Sequence, residues 1–129
     1  MTTYPAPVND ALRGHTFYPP AHELATIPQY EDLHPDEVTI HLHYFAPNSD
    51  VYVAAFDPTT GLAYGWGMIG HRDPSHGDWG DFSLPEIEQF RATRGIGWFE
   101  RDLHFTPGPA KTVLPRREPE PPTTAADET

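Results

Sequence analysis

The sequence predicts an α+β fold: a small antiparallel sheet, a three-stranded meander plus a C-terminal strand, with one or two short helices packed on it. Three observations carry that prediction. Residues 38–45 alternate strictly between apolar and polar positions, the period of a half-buried strand. Two clusters with turn chemistry, 46–50 and 57–61, then separate two further strand-like runs. Finally, Ser83-Leu-Pro-Glu86 is a capping-box pattern that opens a helix.

The elements follow in order. Residues 1–20 mix Pro, small and polar residues without a period, so they read as extended. His22 to Ile27 suits a short helix that must stop before Pro28, because a residue preceding proline avoids the helical region. Tyr30 to Glu37 is a polar connector. In the first strand, Val38, Ile40, Leu42 and Tyr44 share one face, and Thr39, His41, His43 and Phe45 the other. Val51 to Phe56 returns, and Asp57-Pro-Thr-Thr-Gly61 turns again. Leu62 to Met68 is the third strand, with Leu62, Tyr64, Trp66 and Met68 on one side and Ala63, Gly65 and Gly67 on the other. So bare a strip marks close backbone approach, a bend, or a large side chain laid across it. A polar loop at 70–81 leads to a short strand around Trp79 to Phe82. The helix of about 84–92 carries Leu84, Ile87 and Phe90 on one stripe and ends at Gly95 and Gly97. Trp98 to Phe105 is the final strand.

Composition sets the boundaries. Leu, Ile, Val and Phe number 25 of 129 residues, a share that falls on the disordered side at a net charge of −11. Residues 38–105 nevertheless hold 17 of the 25 and all three Trp, but only 4 of the 16 Pro. The expected layout is therefore an extended or disordered segment at 1–21, one α+β domain at 22–106, and a Pro-rich disordered tail at 107–129. The absence of Cys removes disulfides, thiolate metal sites and Cys nucleophiles. No secretory signal and no run of membrane-spanning length is visible, so a cytoplasmic location is the expectation.

Charge narrows the partners. Residues 29–106 carry 13 acidic and 4 basic side chains, too few cations for the phosphate neutralisation that direct nucleic-acid binding requires. The charge instead suits attraction to a basic surface on another protein.

Four segments resemble the domain-of-unknown-function family numbered 2958: Leu24-Ala-Thr-Ile-Pro-Gln-Tyr30, the strand ending in Tyr44-Phe-Ala-Pro47, Ala55 to Gly65, and Phe82-Ser-Leu-Pro-Glu-Ile-Glu88 followed by Glu100-Arg-Asp-Leu-His-Phe105. The likeness covers about 24–108. It implies a small accessory protein of phages, plasmids or conjugative elements, with a host or element-encoded protein as its partner, and brings no catalytic residues with it. The family more often has an aromatic at the position of His104 and lacks the His-rich loop, so it lends nothing to a site built on His71, His76 or His104.

The remaining chemistry is sparse. His41 and His43 project from one strand face and could share an ion, and the loop offers His71, Asp73, His76 and Asp78 at ligand spacing. Gly65-Trp-Gly-Met-Ile-Gly70 matches the dinucleotide fingerprint in letters only, because a strand pattern explains its glycines and Pro74 follows. There is no nucleophile elbow, P-loop or His-Glu-x-x-His sequence, and no cofactor is expected. The acids Asp73, Asp78, Asp81, Glu86 and Glu88 cluster with only Arg72 beside them, and Trp79 is an anchor candidate among them. The sequence thus reads as a non-enzymatic accessory protein of a mobile element that binds another protein. A DNA mimic inhibiting a defence or DNA-binding protein is one alternative, and a His/Asp metal-dependent enzyme is the other.

Overall fold

The computed structural model describes residues 5–34, 37–70, 77–90 and 98–115. Its centre is a five-stranded antiparallel sheet in the order β5-β4-β3-β2-β6. The strands are β2 (Leu42–Ala46), β3 (Ser49–Phe56), β4 (Leu62–Met68), β5 (Asp78–Ser83) and β6 (Glu100–Arg101). A two-stranded ribbon joins β1 (Thr39–Ile40) to β7 (Gly108–Pro109). Four short helices complete it: α1 (Asp10–Arg13), α2 (Ala21–Leu24), α3 (Leu84–Gln89) and α4 (Ala110–Val113), with a 3₁₀ turn at Tyr30–Asp32. The α+β class holds, and the sheet is larger than the meander plus one strand.

The predicted turns form for the expected reasons. Ala46 pairs with Ser49, which leaves Pro47-Asn48 as a two-residue hairpin loop. In the second turn the Asp57 carboxylate accepts the Thr59 N–H at 2.8 Å, and Gly61 adopts φ 82°, where a side chain would be strained. The Ser83 hydroxyl accepts the Glu86 N–H at 3.3 Å and so caps α3.

The first strand departs from its pattern at His41. Val38, Ile40, Leu42 and Tyr44 are all buried, but Leu42 and Tyr44 pack on one face of the sheet, and Val38 and Ile40 pack in a second cluster with Trp66 and Met68. The chain breaks between β1 and β2 beside an irregularity in β3 between Val53 and Ala55, with the His41 N–H still donating to Val53 O at 2.8 Å. An inserted residue twists a strand and ends regular pairing, so one alternating segment supplies apolar residues to both faces.

Each face is covered in part by a segment expected to be extended or disordered, and the first also by the short helix expected at His22 to Ile27. Over the first face lie Phe17, Tyr18, Leu24 and Ile27, with Phe17 stacked on Tyr44 at 4.3 Å and the Tyr44 hydroxyl donating to Phe17 O at 2.8 Å. Over the second lie Ala110 and Leu114, the latter fully buried. Within the segments read as extended or disordered (1–21) and as a Pro-rich tail (107–129), the structure forms α1, β7 and α4 and buries Phe17, Ala110 and Leu114. Helices of four residues leave no period to read, so their burial is set by tertiary contact. Residues 116–129, and the helix end at Gly95 and Gly97, lie outside the described residues.

The final strand is also shorter than Trp98 to Phe105. After β6 the Asp102 N–H still donates to His43 O, but the Asp102 carboxylate then accepts the His104 N–H at 3.0 Å and turns the chain away.

Candidate functional site

Strand β5 is an edge of the sheet, and its pairing with β4 fixes where its side chains point. Trp79 lies opposite Trp66, Asp81 opposite Tyr64, and Phe82 opposite Ala63. Alternation therefore sends Trp79 and Asp81 to the second face and Phe82 to the first. The bare strip of β4 has two explanations. A side chain on Gly65 would strike the Tyr52 carbonyl, and one on Gly67 would strike the Phe82 ring. These glycines serve packing inside a strand, in keeping with the rejection of the dinucleotide fingerprint.

Asp78, Asp81 and Glu86 are exposed, and among the described residues none of them forms an ion pair. Asp81 and Glu86 border an apolar groove of about 300 Å³ walled by Ile69, Phe82, Ile87, Phe90 and Phe99. Trp79 is half-buried, stacked on Tyr64, so it fills the sheet face as well as lying near the acids. Asp73, His71 and His76 lie outside the described residues.

Glu88 does not belong to this surface, which corrects its place among the partner-binding candidates. It is 1% exposed and accepts the Arg13 Nη1–H at 2.9 Å and the Asn9 N–H at 2.9 Å. Arg13 Nη2 also donates to Glu88 O, and Arg13 Nε to Phe99 O at 2.7 Å. A buried carboxylate needs such partners, and these tie the N-terminal segment to α3.

The other polar cluster surrounds His43. Its Nδ1 lies 2.8 Å from Asp102 and its Nε2 2.8 Å from Asp50, while the ring stacks on Tyr52 at 4.3 Å. Burial opposes the charged ring, yet the hydrogen bonds and charges of both aspartates outweigh it and raise the His43 pKa above 6.5. Burial likewise works against an ionised Asp102, but hydrogen bonds from His43 and the His104 N–H, and the charges of both histidines, carry its pKa below 3.8. Burial, then the charges of Asp50 and Asp102, push Tyr52 up to about 12. Both His43 ring nitrogens thus face carboxylates, which leaves neither free for a metal or a substrate proton.

No family model matches this chain, and no curated protein or solved structure matches it.

His41 does not join His43 in an ion site. Its pKa is lowered by burial, and it lines a separate hollow of about 490 Å³ with Arg101, Asp102 and Phe105. Among the described residues no group of three or more His, Asp or Glu is arranged to hold a metal ion. Among them, too, no helix is long and apolar enough to cross a membrane.

Sequence reasoning missed a third recess, of about 120 Å³, between the 3₁₀ turn and the 57–62 turn. Tyr30, Tyr64, Glu31, Asp57 and Asp81 line it. Tyr30 and Glu31 had looked like a polar connector. Only the proximity of two tyrosines to an acidic turn in three dimensions marks them, and no linear spacing encodes it.

Proposed function

We propose that this protein is a small acidic accessory protein of a mobile genetic element that acts without catalysis, by binding another protein through its β5–α3 side. One observation carries the reading: an apolar groove bordered by Asp81 and Glu86, with Asp78 exposed on the same strand and no ion pair to occupy these acids among the described residues. Apolar surface at the centre and charge at the rim is the anatomy of a protein interface. The net charge of −11 selects a basic partner surface and steers its approach. The mobile-element setting rests on the resemblance to the family numbered 2958. The His/Asp enzyme reading gains no support from a His43 whose nitrogens both face carboxylates.

The test is charge reversal at the rim. The partner is captured from cells carrying the element, purified, and titrated with the wild-type protein and with the Asp78→Lys, Glu86→Lys double variant. The variant should keep its melting temperature and lose roughly tenfold or more in affinity, and wild-type affinity should fall with added salt. Equal affinity for both proteins would overturn the reading.

A further inference from the structure

Strand β5 ends the sheet on its side, so one of its edges pairs with β4 and the other pairs with no strand among the described residues. The phase of the ladder is fixed where β5 runs into α3, because the Leu84 N–H donates to Gly61 O at 3.1 Å. Hydrogen-bonded pairs in an antiparallel ladder recur at every second residue. Phe82 and Gly80 therefore bond to Ala63 and Gly65, and Asp81 and Trp79 turn their main-chain groups outward. The Trp79 N–H agrees with this phase, since it donates to the Asp78 carboxylate at 2.8 Å. The Asp81 N–H and C=O have no hydrogen-bond partner among the described residues.

The two flanks of this open edge differ. Asp78, Gly80 and Phe82 point to the first face, and Trp79 and Asp81 to the second. On the first, the apolar groove runs from Phe82 to Ile87 and Phe99, and nothing lies within 4 Å of a side chain added at Gly80. On the second, exposed Asp81 follows the half-buried Trp79. Among the described residues no lysine or arginine lines the groove, and neither Asp78 nor Asp81 is in an ion pair.

We infer that β5 accepts an extended segment of the partner protein as a sixth, antiparallel strand, with a cationic side chain opposite Asp81 and apolar side chains on either side of it. Strand addition occupies the open main-chain groups, and the alternate side chains then select the partner. Antiparallel addition continues the pairing of every other strand in this sheet. Directly opposed residues share a face, so the cation meets Asp81 on the second face. Its two neighbours lie on the first, over Gly80 and beside the groove at Phe82. Charge selects this occupant over a second copy of the chain. Acids on an edge strand oppose self-pairing, and each copy carries −11, whereas a basic segment is attracted by both. The assignment rests on the protein-binding reading and names the form and chemistry of the partner's segment.

The experiment titrates the labelled full chain with the acetylated, amidated peptide arginine-valine-arginine-valine-arginine, followed by NMR and amide hydrogen exchange. Pairing opposite Asp81 turns the arginine N–H groups toward β5 and the valine N–H groups away. The peptide should bind saturably and slow exchange of the Asp81 amide. N-methylation of the arginines should weaken binding roughly tenfold or more, and N-methylation of the valines should leave it within about twofold. Asp81→Asn should weaken it roughly threefold, the worth of one cross-strand charge pair. Equal affinity of the two N-methylated peptides, loss on valine methylation instead, or unchanged exchange at Asp81 would each overturn the inference. Equal binding of the peptide with glutamine for arginine would overturn the choice of a cation. Protection of the Asp81 amide that grows with protein concentration alone would show a second copy on the edge, and would overturn it too. Rim contact without strand addition gives both N-methylated peptides the same affinity, so failure here leaves the charge-reversal test intact. Failure of charge reversal at Asp78 and Glu86 leaves the N-methylation contrast readable.

Discussion

At the scale of single residues, a half-buried histidine and a buried ion pair decide how this small protein responds to its surroundings. His43 gains two carboxylate partners on folding, so its pKa is raised. A raised histidine contributes stability that is complete below its unfolded value near 6.5 and is lost as pH climbs through the folded value. Asp102 has a lowered pKa, so its contribution is complete above 3.8 and is lost as pH falls through the folded value. Stability from this pair should therefore peak between about 4 and 6.5 and decline on the alkaline side. Denaturant melts across pH check this, and Asp102→Asn should flatten the alkaline decline and lower the His43 pKa measured by NMR. A stability profile indifferent to Asp102→Asn would show that the bridge does not couple to folding. Glu88 poses a different case, because its partner Arg13 cannot discharge. Glu88→Ala leaves the buried guanidinium only Asp10, 3.5 Å away, as a carboxylate partner and should cost about 3 kcal/mol in urea unfolding. Arg13→Ala should cost a similar amount, and the double variant much less than the two together.

At the scale of elements, the glycines of β4 give the clearest contrast. Gly65 and Gly80 face each other across the ladder, but only Gly65 presses on the Tyr52 carbonyl, and nothing lies near a side chain added at Gly80. Gly65→Ala should destabilise by about 1–3 kcal/mol, and Gly80→Ala should stay within about 0.5 kcal/mol of the parent. Equal effects would mean that strand propensity, not backbone approach, explains both residues. This element also shows how much of the fold was legible. The alternation of β4, the turns at 46–50 and 57–61 and the cap at Ser83 are local signals, and each predicts its element because the physics involved spans only a few residues. What escaped was decided across long separations. The split of Val38-Ile40 from Leu42-Tyr44 needs the neighbouring irregularity in β3, and the pairing of β1 with β7 needs a segment some 70 positions away. The candidate site divides in the same manner. Asp78 and Asp81 point to opposite faces of the edge strand and are both exposed, as is Glu86 in the first turn of α3, whereas Glu88 turns inward to an arginine 75 positions earlier. The Tyr30–Tyr64 recess has no linear signature at all.

At the scale of the whole molecule, one sheet separates two apolar clusters. The N-terminal segment and α3 cover one face, and β1, β7 and α4 cover the other. A chain with so low an apolar content cannot leave either face open, which is why Pro-rich ends that look unable to fold are drawn onto the sheet. A packed layer lies about 10 Å from the sheet beneath it, so layers on opposite sides are about 20 Å apart, beyond the range at which substitutions usually couple. Ile40→Val trims the second cluster and should cost about 0.5–1.5 kcal/mol. Phe17→Leu trims the first, and the two costs should add to within about 0.5 kcal/mol in the double variant. Phe17→Leu combined with Tyr44→Phe is the opposite case, since these residues share a ring stack and a hydrogen bond to the Phe17 carbonyl. There the deviation from additivity should exceed about 0.5 kcal/mol. Urea unfolding of the five variant chains measures all of this in one series. Strong coupling between Ile40 and Phe17 would mean that the faces are not independent, and that the sheet transmits strain from one covering layer to the other.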